Sequence, residues 1–425
     1  MTSTPPETTG RTRRLTLIAT LYSTQNLSLG FYTFAFLTIA QQQGVPLTAI
    51  GAAAGVALLL VLKFLWAPLV DKIGFARFGH YRGWLLLTQT VLGIGIASLA
   101  LFDPATDFGV LLGVFAVLFV VAATQDIAAD AAATRLLRPS ERGIGNGFQS
   151  AGACVAQVVG GGLTLVVYQV AGWQAAALVL AVFSLVPLPF ILAWREREAS
   201  RNLPRPQMTL RSALSFFARS EVRWWCLLLL PAYTLGFTIA YNLIRPLLVD
   251  AGWSEAKIGL YVVIAGSIVG IAAGIVSGAL ISRIGRRRSL VWLGVLQIAG
   301  TAGTLPIALG MTQEWLVFLV VALGNAAFTA AFAIVYTICM DLSRPESAGT
   351  DFTYFTTVSQ VVMVASAGAG VAMAGLYGFA SVIAVGIILA IVGLAFTIWK
   401  FDKVEPRDGR TASAPEPPVT EAVRS

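Results

Sequence analysis

The chain has 425 residues, of which 57% are hydrophobic and only 12% charged, and it carries a net charge of +8. A chain with about half the usual charged share cannot cover itself with polar surface, so a water-soluble enzyme is excluded. The positive charge is spread along the chain in separate gaps rather than gathered on one face, which argues against a nucleic-acid partner and for a membrane surface.

Residues 1–14 are rich in Thr and Pro and end in Arg11, Arg13 and Arg14, as expected of a cytoplasmic tail rather than a secretory signal. Twelve apolar stretches follow, at 15–40, 49–70, 83–102, 108–134, 144–168, 174–195, 222–248, 257–281, 289–310, 314–341, 350–376 and 379–400. Each is close to the roughly 20 residues that a helix needs to cross a bilayer. A β-barrel would instead alternate apolar and polar residues in segments of about ten, and no such pattern occurs. The prediction is an all-α polytopic membrane protein of twelve transmembrane helices in two six-helix bundles, 15–195 and 222–403. The polar linker 196–221, with Pro204 and Pro206, joins them and should hold one interfacial helix. Residues 404–425 are rich in Pro, Ala and Glu and read as a disordered tail.

Of the 29 Lys and Arg residues, all but Lys63, Arg245 and Lys257 fall in alternate gaps between these stretches. Basic residues stay on the cytoplasmic side, so both termini and the linker are expected there. Lys257 sits beside Glu255 in a short outer loop, whereas Lys63 and Arg245 lie inside apolar stretches, where a charge is costly. The three cysteines all lie inside predicted spans without metal-ligand spacing, and His80 is the single histidine. A metal site, a catalytic histidine and any resident cofactor are therefore not expected, and no constellation for an enzyme is visible.

The two bundles repeat each other weakly. Leu29-Gly30-Phe31 returns as Leu235-Gly236-Phe237, Gly44–Gly51 aligns with Gly252–Gly259, and Arg138-Pro139-Ser140-Glu141 matches Arg344-Pro345-Glu346-Ser347. Parallel six-helix repeats around a central site are the plan of many alternating-access transporters.

Three groups of residues could do work. At the cytoplasmic ends, Asp71, Arg82, Arg135, Glu141 and Arg142 could form a gate of salt bridges made in one state and broken in another; the alternative is topology control by basic loops. Ser282 stands where the first half has Asp71, so the second half lacks the matching acid. Asp126 and Asp130 are four residues apart and share a helix face. Lys63 lies at a similar depth, so the three could form a proton or charge network, the alternative being a static bridge. Tyr22, Gln25, Asn26, Tyr32, Tyr241, Asn242, Arg245, Asn325, Tyr336 and Tyr354 are candidates for a polar substrate cavity. Interhelical hydrogen bonding is the competing role. Arg245, next to Pro246, could bind an anionic substrate or reach the outer headgroups.

Lys63–Asp71, Ala123–Asp130 and Glu141-Arg142-Gly143 resemble the AmpG-like branch of the major facilitator superfamily. The resemblance implies the major facilitator fold, a place in the bacterial inner membrane and import driven by the proton gradient. It also puts Asp71 and Arg82 at the gate, and Lys63, Asp126 and Asp130 at buried charged positions. Within that branch, Gln25–Phe31 and the twelve spans look more like the RhtX/FptX/YbtX siderophore-associated permeases, since muropeptide permeases usually carry extra carboxy-terminal helices. The resemblance therefore implies a monomeric secondary transporter of a small molecule, here a siderophore or metal–siderophore complex, with protons and the lipid bilayer as its other partners. The alternatives are a muropeptide permease, an efflux transporter, and, from a different class, a membrane sensor on a transporter scaffold.

Overall fold

A computed structural model describes residues 10–75, 77–196 and 215–404. Among these residues all regular structure is helical, apart from an isolated bridge between Phe75 and Gly79. Ten of its helical stretches are long and apolar enough to cross a membrane. One of them, Arg142–Ala193, is 52 residues long and breaks at Gly172, whose φ of 81° lies in the region that favours glycine. It therefore makes two passes. A further pass, residues 11–42, is interrupted for one residue at Asn26.

The twelve passes are α1 (11–42), α2 (Thr48–Leu65), α3 (His80–Leu101), α4 (Phe108–Leu136), α5 (142–171), α6 (173–193), α7 (Ser220–Asp250), α8 (Gly259–Ile284), α9 (Arg286–Ala308), α10 (Glu314–Leu342), α11 (Pro345–Tyr377) and α12 (Phe379–Lys403). The interfacial helix expected in the linker falls largely on residues outside those described, as does the tail beyond Val404. The α1 helix already starts at Arg11, upstream of the apolar run. Lys257 pairs with Glu314 at the start of α10 (2.6 Å) and lies over the Trp253 ring.

The apolar cores divide unevenly, and this decides where the molecule is open. At the end carrying most of the arginines, one cluster runs through both halves, from Leu17 and Ile127 to Ile281, Ile334 and Phe352. At the opposite end each half keeps its own cluster: Phe31, Phe115 and Trp173 in the first, Leu243, Val317 and Ile383 in the second. A shared buried core therefore joins the halves at the Arg-rich end.

The α5 and α8 helices, one from each half, meet backbone to backbone where Gly143 and Gly147 face Gly274 and Gly278. A Cβ on Gly147 would sit 2.9 Å from the Cα of Gly278, and one on Gly278 would sit 2.7 Å from the carbonyl oxygen of Gly143. Only glycine permits this approach, which suits a lipid setting where close packing rather than hydrophobicity associates helices.

Candidate functional site: a charged cavity and its seal

A cavity of about 390 Å³ lies between the halves, within the usual range of small-molecule sites. Its two walls differ. From the first half come Gln25 and Asn26 of α1, Lys63 of α2, Asp126 and Asp130 of α4, and Gln149 and Gln157 of α5. From the second half come Phe328, Phe332 and Tyr336 of α10 with Thr356, Ser359 and Gln360 of α11. All the charge is on the first half. The α10 residues recur every four positions, so they stack along one helix face. Phe328 and Phe332 have centroids 4.7 Å apart, and Tyr241 stacks behind Phe328 at 4.7 Å. A smaller space of about 130 Å³ continues beside it, between Ala57, Leu60 and Lys63 on α2 and Gln360 on α11.

Lys63 and Asp126 form an ion pair, with Lys63 only 3% exposed. One turn on, Asp130 is fully buried and accepts hydrogen bonds from Tyr22 Oη (3.0 Å) and Gln149 Nε2 (2.9 Å), both on Oδ1. One lysine thus faces two carboxylates. Oδ1 of Asp126, Oδ2 of Asp130 and the amide oxygens of Gln25 and Gln149 have no hydrogen-bond partner among the described residues. Buried polar atoms of this kind are otherwise satisfied by water or ligand.

The residues predicted to line the cavity separate. Gln25, Asn26 and Tyr336 line it, with Lys63, Asp126 and Asp130. Tyr22 stands behind it as the partner of Asp130. Tyr32 is buried and donates to the carbonyl of Ala53 (2.5 Å). Tyr241 and Asn325 bond each other behind the aromatic wall (3.2 Å), and Asn242 donates to Thr238 on its own helix. Tyr354 packs on Phe216 and Phe217 near the Arg-rich end. Arg245 is exposed on α7 and is not among the lining residues: it shares a helix face with Tyr241 but lies one turn further along the helix, away from the Arg-rich end.

The Arg-rich end is sealed across the halves. Asp71 Oδ2 accepts from the amide of Thr350 (2.7 Å) and Oδ1 from the amide of Gly349 (3.2 Å), while Tyr81 Oη donates to Oδ1 (2.8 Å). Burial pushes the Asp71 carboxyl up, against the opposing pull of these hydrogen bonds. Ser347, the N-cap of the α-helical part of α11 (Ala348–Tyr377), does not cap it and bonds Asp351 instead, so Asp71 fills that role from the other half. Arg142 donates to Asp341 (2.9 Å), Arg286 donates to Asp341 (2.8 Å) and to the carbonyl of Pro139 (2.6 Å), and Arg135 reaches the carbonyl of Pro345.

Two predicted gate residues stay within the first half. Arg82 donates to the carbonyls of Ile191 (3.0 Å) and Leu192 (2.8 Å), tying α3 to α6, and Glu141 pairs with Arg14 (2.9 Å). Asp341, on which Arg142 and Arg286 converge, was not foreseen. Ser282 stands at the start of α5 much as Asp71 stands at the start of α11. A Cβ on Gly143 would be 2.7 Å from Ser282 Oγ, and one on Gly349 2.6 Å from Asp71 Oδ1.

Comparison with known proteins agrees with this architecture. The chain is 30% identical to the anhydromuropeptide permease of Escherichia coli strain K12 over 340 residues, 77% of this chain and 67% of that protein. Its fold is similar to the human organic anion transporter MFSD10 (TM-score 0.68, 15% identity, covering 93% of this chain and 100% of that one). It is also similar to a bacterial homologue of the iron transporter ferroportin (TM-score 0.66, 15% identity, 92% and 98% covered). The sequence profile of the Major Facilitator Superfamily matches residues 17–367. Paired six-helix halves around a central cavity, the profile match and the permease likeness together place the chain in the major facilitator superfamily, in its AmpG-like branch, as a multi-pass membrane transporter rather than an enzyme.

Proposed function

We propose that the chain imports muropeptide-type substrates, sugar–peptide fragments, across the bacterial inner membrane by proton-coupled alternating access. The observation that carries this reading is the two-walled cavity in a chain 30% identical to an anhydromuropeptide permease. The amides of Gln25, Asn26, Gln149 and Gln157 offer donors and acceptors to N-acetyl and peptide groups, Lys63 offers a cation to a carboxylate, and the α10 rings offer flat apolar faces.

Asp130 forms no ion pair among the described residues, so it is the proton-carrying group, and the Lys63–Asp126 pair senses its state. The Arg-rich end is cytoplasmic by the positive-inside rule, with both termini on that side. The described conformation is then closed inward and open outward. The chain works as a monomer, since its cavity is complete between its own halves. The siderophore expectation gives way to its muropeptide alternative, because the permease likeness favours the latter.

Uptake of labelled anhydromuropeptide into proteoliposomes, with and without an imposed pH gradient, tests this, with a ferric siderophore as the comparison substrate. Gradient-driven accumulation of the muropeptide alone is expected. No accumulation beyond empty vesicles overturns the substrate. Undiminished gradient-driven uptake by both Asp126→Asn and Asp130→Asn overturns the proton role.

A further inference from the structure

Within α2, the twelve residues Ala54–Leu65 form a 3₁₀-helix. Such runs rarely exceed three or four residues, because their hydrogen bonds are poorly aligned. Nothing in this sequence asks for one: Ala and Leu dominate the stretch, and both are strong α-helix formers. Local preference and adopted structure therefore disagree, so tertiary contacts must hold the stretch out.

Those contacts are visible at both ends. Ala53, the residue before the stretch, accepts a hydrogen bond from Tyr32 Oη on α1. Trp66, the residue after it, donates from Nε1 to Thr124 Oγ1 on α4 (3.1 Å). Near the end of the run, Lys63 is held by Asp126, also on α4. Three residues per turn sets Ala57, Leu60 and Lys63 in one row, and this row lines the smaller cavity. Twelve residues in this form are about 6 Å longer than in an α-helix. Winding into α-helix would turn Lys63 by about a third of a turn relative to Ala57 and take it out of that row.

We propose that α2 is a stretched helix that positions Lys63 in the cavity, and that loss of the Lys63–Asp126 pair lets it wind into α-helix and withdraw Lys63. The titratable groups around Asp126 are Lys63 on α2, Asp130 on its own helix, Tyr336 on α10, and Tyr22 of α1 through Asp130. Release of the pair is therefore a local event, coupled to the same carboxylates as transport but independent of what is carried.

The experiment measures the length of α2 in the full chain, in lipid nanodiscs, by pulsed electron paramagnetic resonance. Spin labels are placed at the exposed positions Ala52→Cys and Leu69→Cys, the native cysteines being buried. The expected result is a distance about 6 Å shorter in Lys63→Met and in Asp126→Asn, and unchanged in Lys63→Arg, which keeps the pair. The two shortening variants remove the pair from opposite sides, so a folding failure in one leaves the other to decide. A folded, monodisperse Lys63→Met or Asp126→Asn protein that keeps the unsubstituted distance overturns the proposal. No substrate is present, so this failure would leave the proposed transport activity standing.

Discussion

Asp71 caps a helix that belongs to the other half of the molecule: its Oδ2 lies 2.7 Å from the amide nitrogen of Thr350. A carboxylate at a helix start is favoured by the free amides and by the helix dipole, so the seal between the halves uses the backbone as much as side chains. Asp71→Ala should shift the conformational equilibrium about fivefold toward opening of the Arg-rich end, since a cap contributes on the order of 1 kcal/mol. Thr33 is exposed and lines the cavity. Labelling of Thr33→Cys by an impermeant maleimide from the opposite side should fall in the Asp71→Ala background. Equal labelling would show that Asp71 is not a latch.

The second half closes differently, through Asp341 shared between Arg142 and Arg286. Asp341→Asn should loosen the same end and reduce uptake several-fold. Because Ser282 faces Gly143 as Asp71 faces Gly349, adding Ser282→Asp to Asp341→Asn should recover much of the loss. A double variant no better than the single one would count against the equivalence of the two sites.

The glycine seam tolerates no side chain. Gly147→Ala places a methyl group against the backbone of α8, and overpacking of this kind costs about 1–3 kcal/mol. Because α5 and α8 belong to different halves, the effect should fall on the closed state rather than on folding. Uptake is expected to drop at least tenfold with an unchanged melting temperature of the purified protein. A large fall in melting temperature would make the seam a folding element instead.

Glu141 supplies a pH test. Burial opposes its charge, but the hydrogen bonds from Arg14 Nη2 (2.9 Å) and the Arg138 amide (3.1 Å) outweigh that and hold its carboxyl below the usual range. A carboxyl lowered in the folded state stabilises above its unfolded value, about 4.3, and loses that contribution as pH falls through the folded value. Glu141→Gln should therefore lower the melting temperature by a few degrees at pH 7. The difference from the unsubstituted chain should close in acid, below the ordinary glutamate range. A gap that persists there would mean that the carboxylate charge is not what stabilises.

The aromatic wall should carry affinity and the outer arginine should not. Phe332→Ala removes a ring from the cavity face and is expected to raise the KM for uptake about tenfold with little change in maximal rate. Arg245→Ala, outside the cavity lining, should leave both unchanged. The reverse pattern would move the substrate to the outer end of α7.

Much of this architecture was legible in the sequence, because the features that encode it are local. Twelve apolar runs, alternating basic gaps and the spacing of Asp126 and Asp130 each follow from one stretch of chain. Lys63 with Asp126 was readable too, since an intramembrane charge demands a partner at its own depth. What could not be read depends on how the halves meet. Asp341 looks like any acid at a helix end until Arg142 and Arg286 converge on it. Phe328 and Phe332 are, by composition alone, ordinary apolar residues, although with Tyr336 their four-residue spacing was a signal available to find. Arg245 is a rare charge in an apolar run, yet the cavity ends about a turn short of it along α7, and the depth of a cavity between two halves is not written in one helix.

The confinement of every cavity charge to the first half has a consequence for how such a protein can change over time. The first half holds the ionisable groups of the cavity, and the second lines it with aromatic rings and neutral polar side chains. Substitutions on α10 and α11 can then retune what is carried while the charged residues of the first half stay untouched. New substrates could be reached by drift in one half alone.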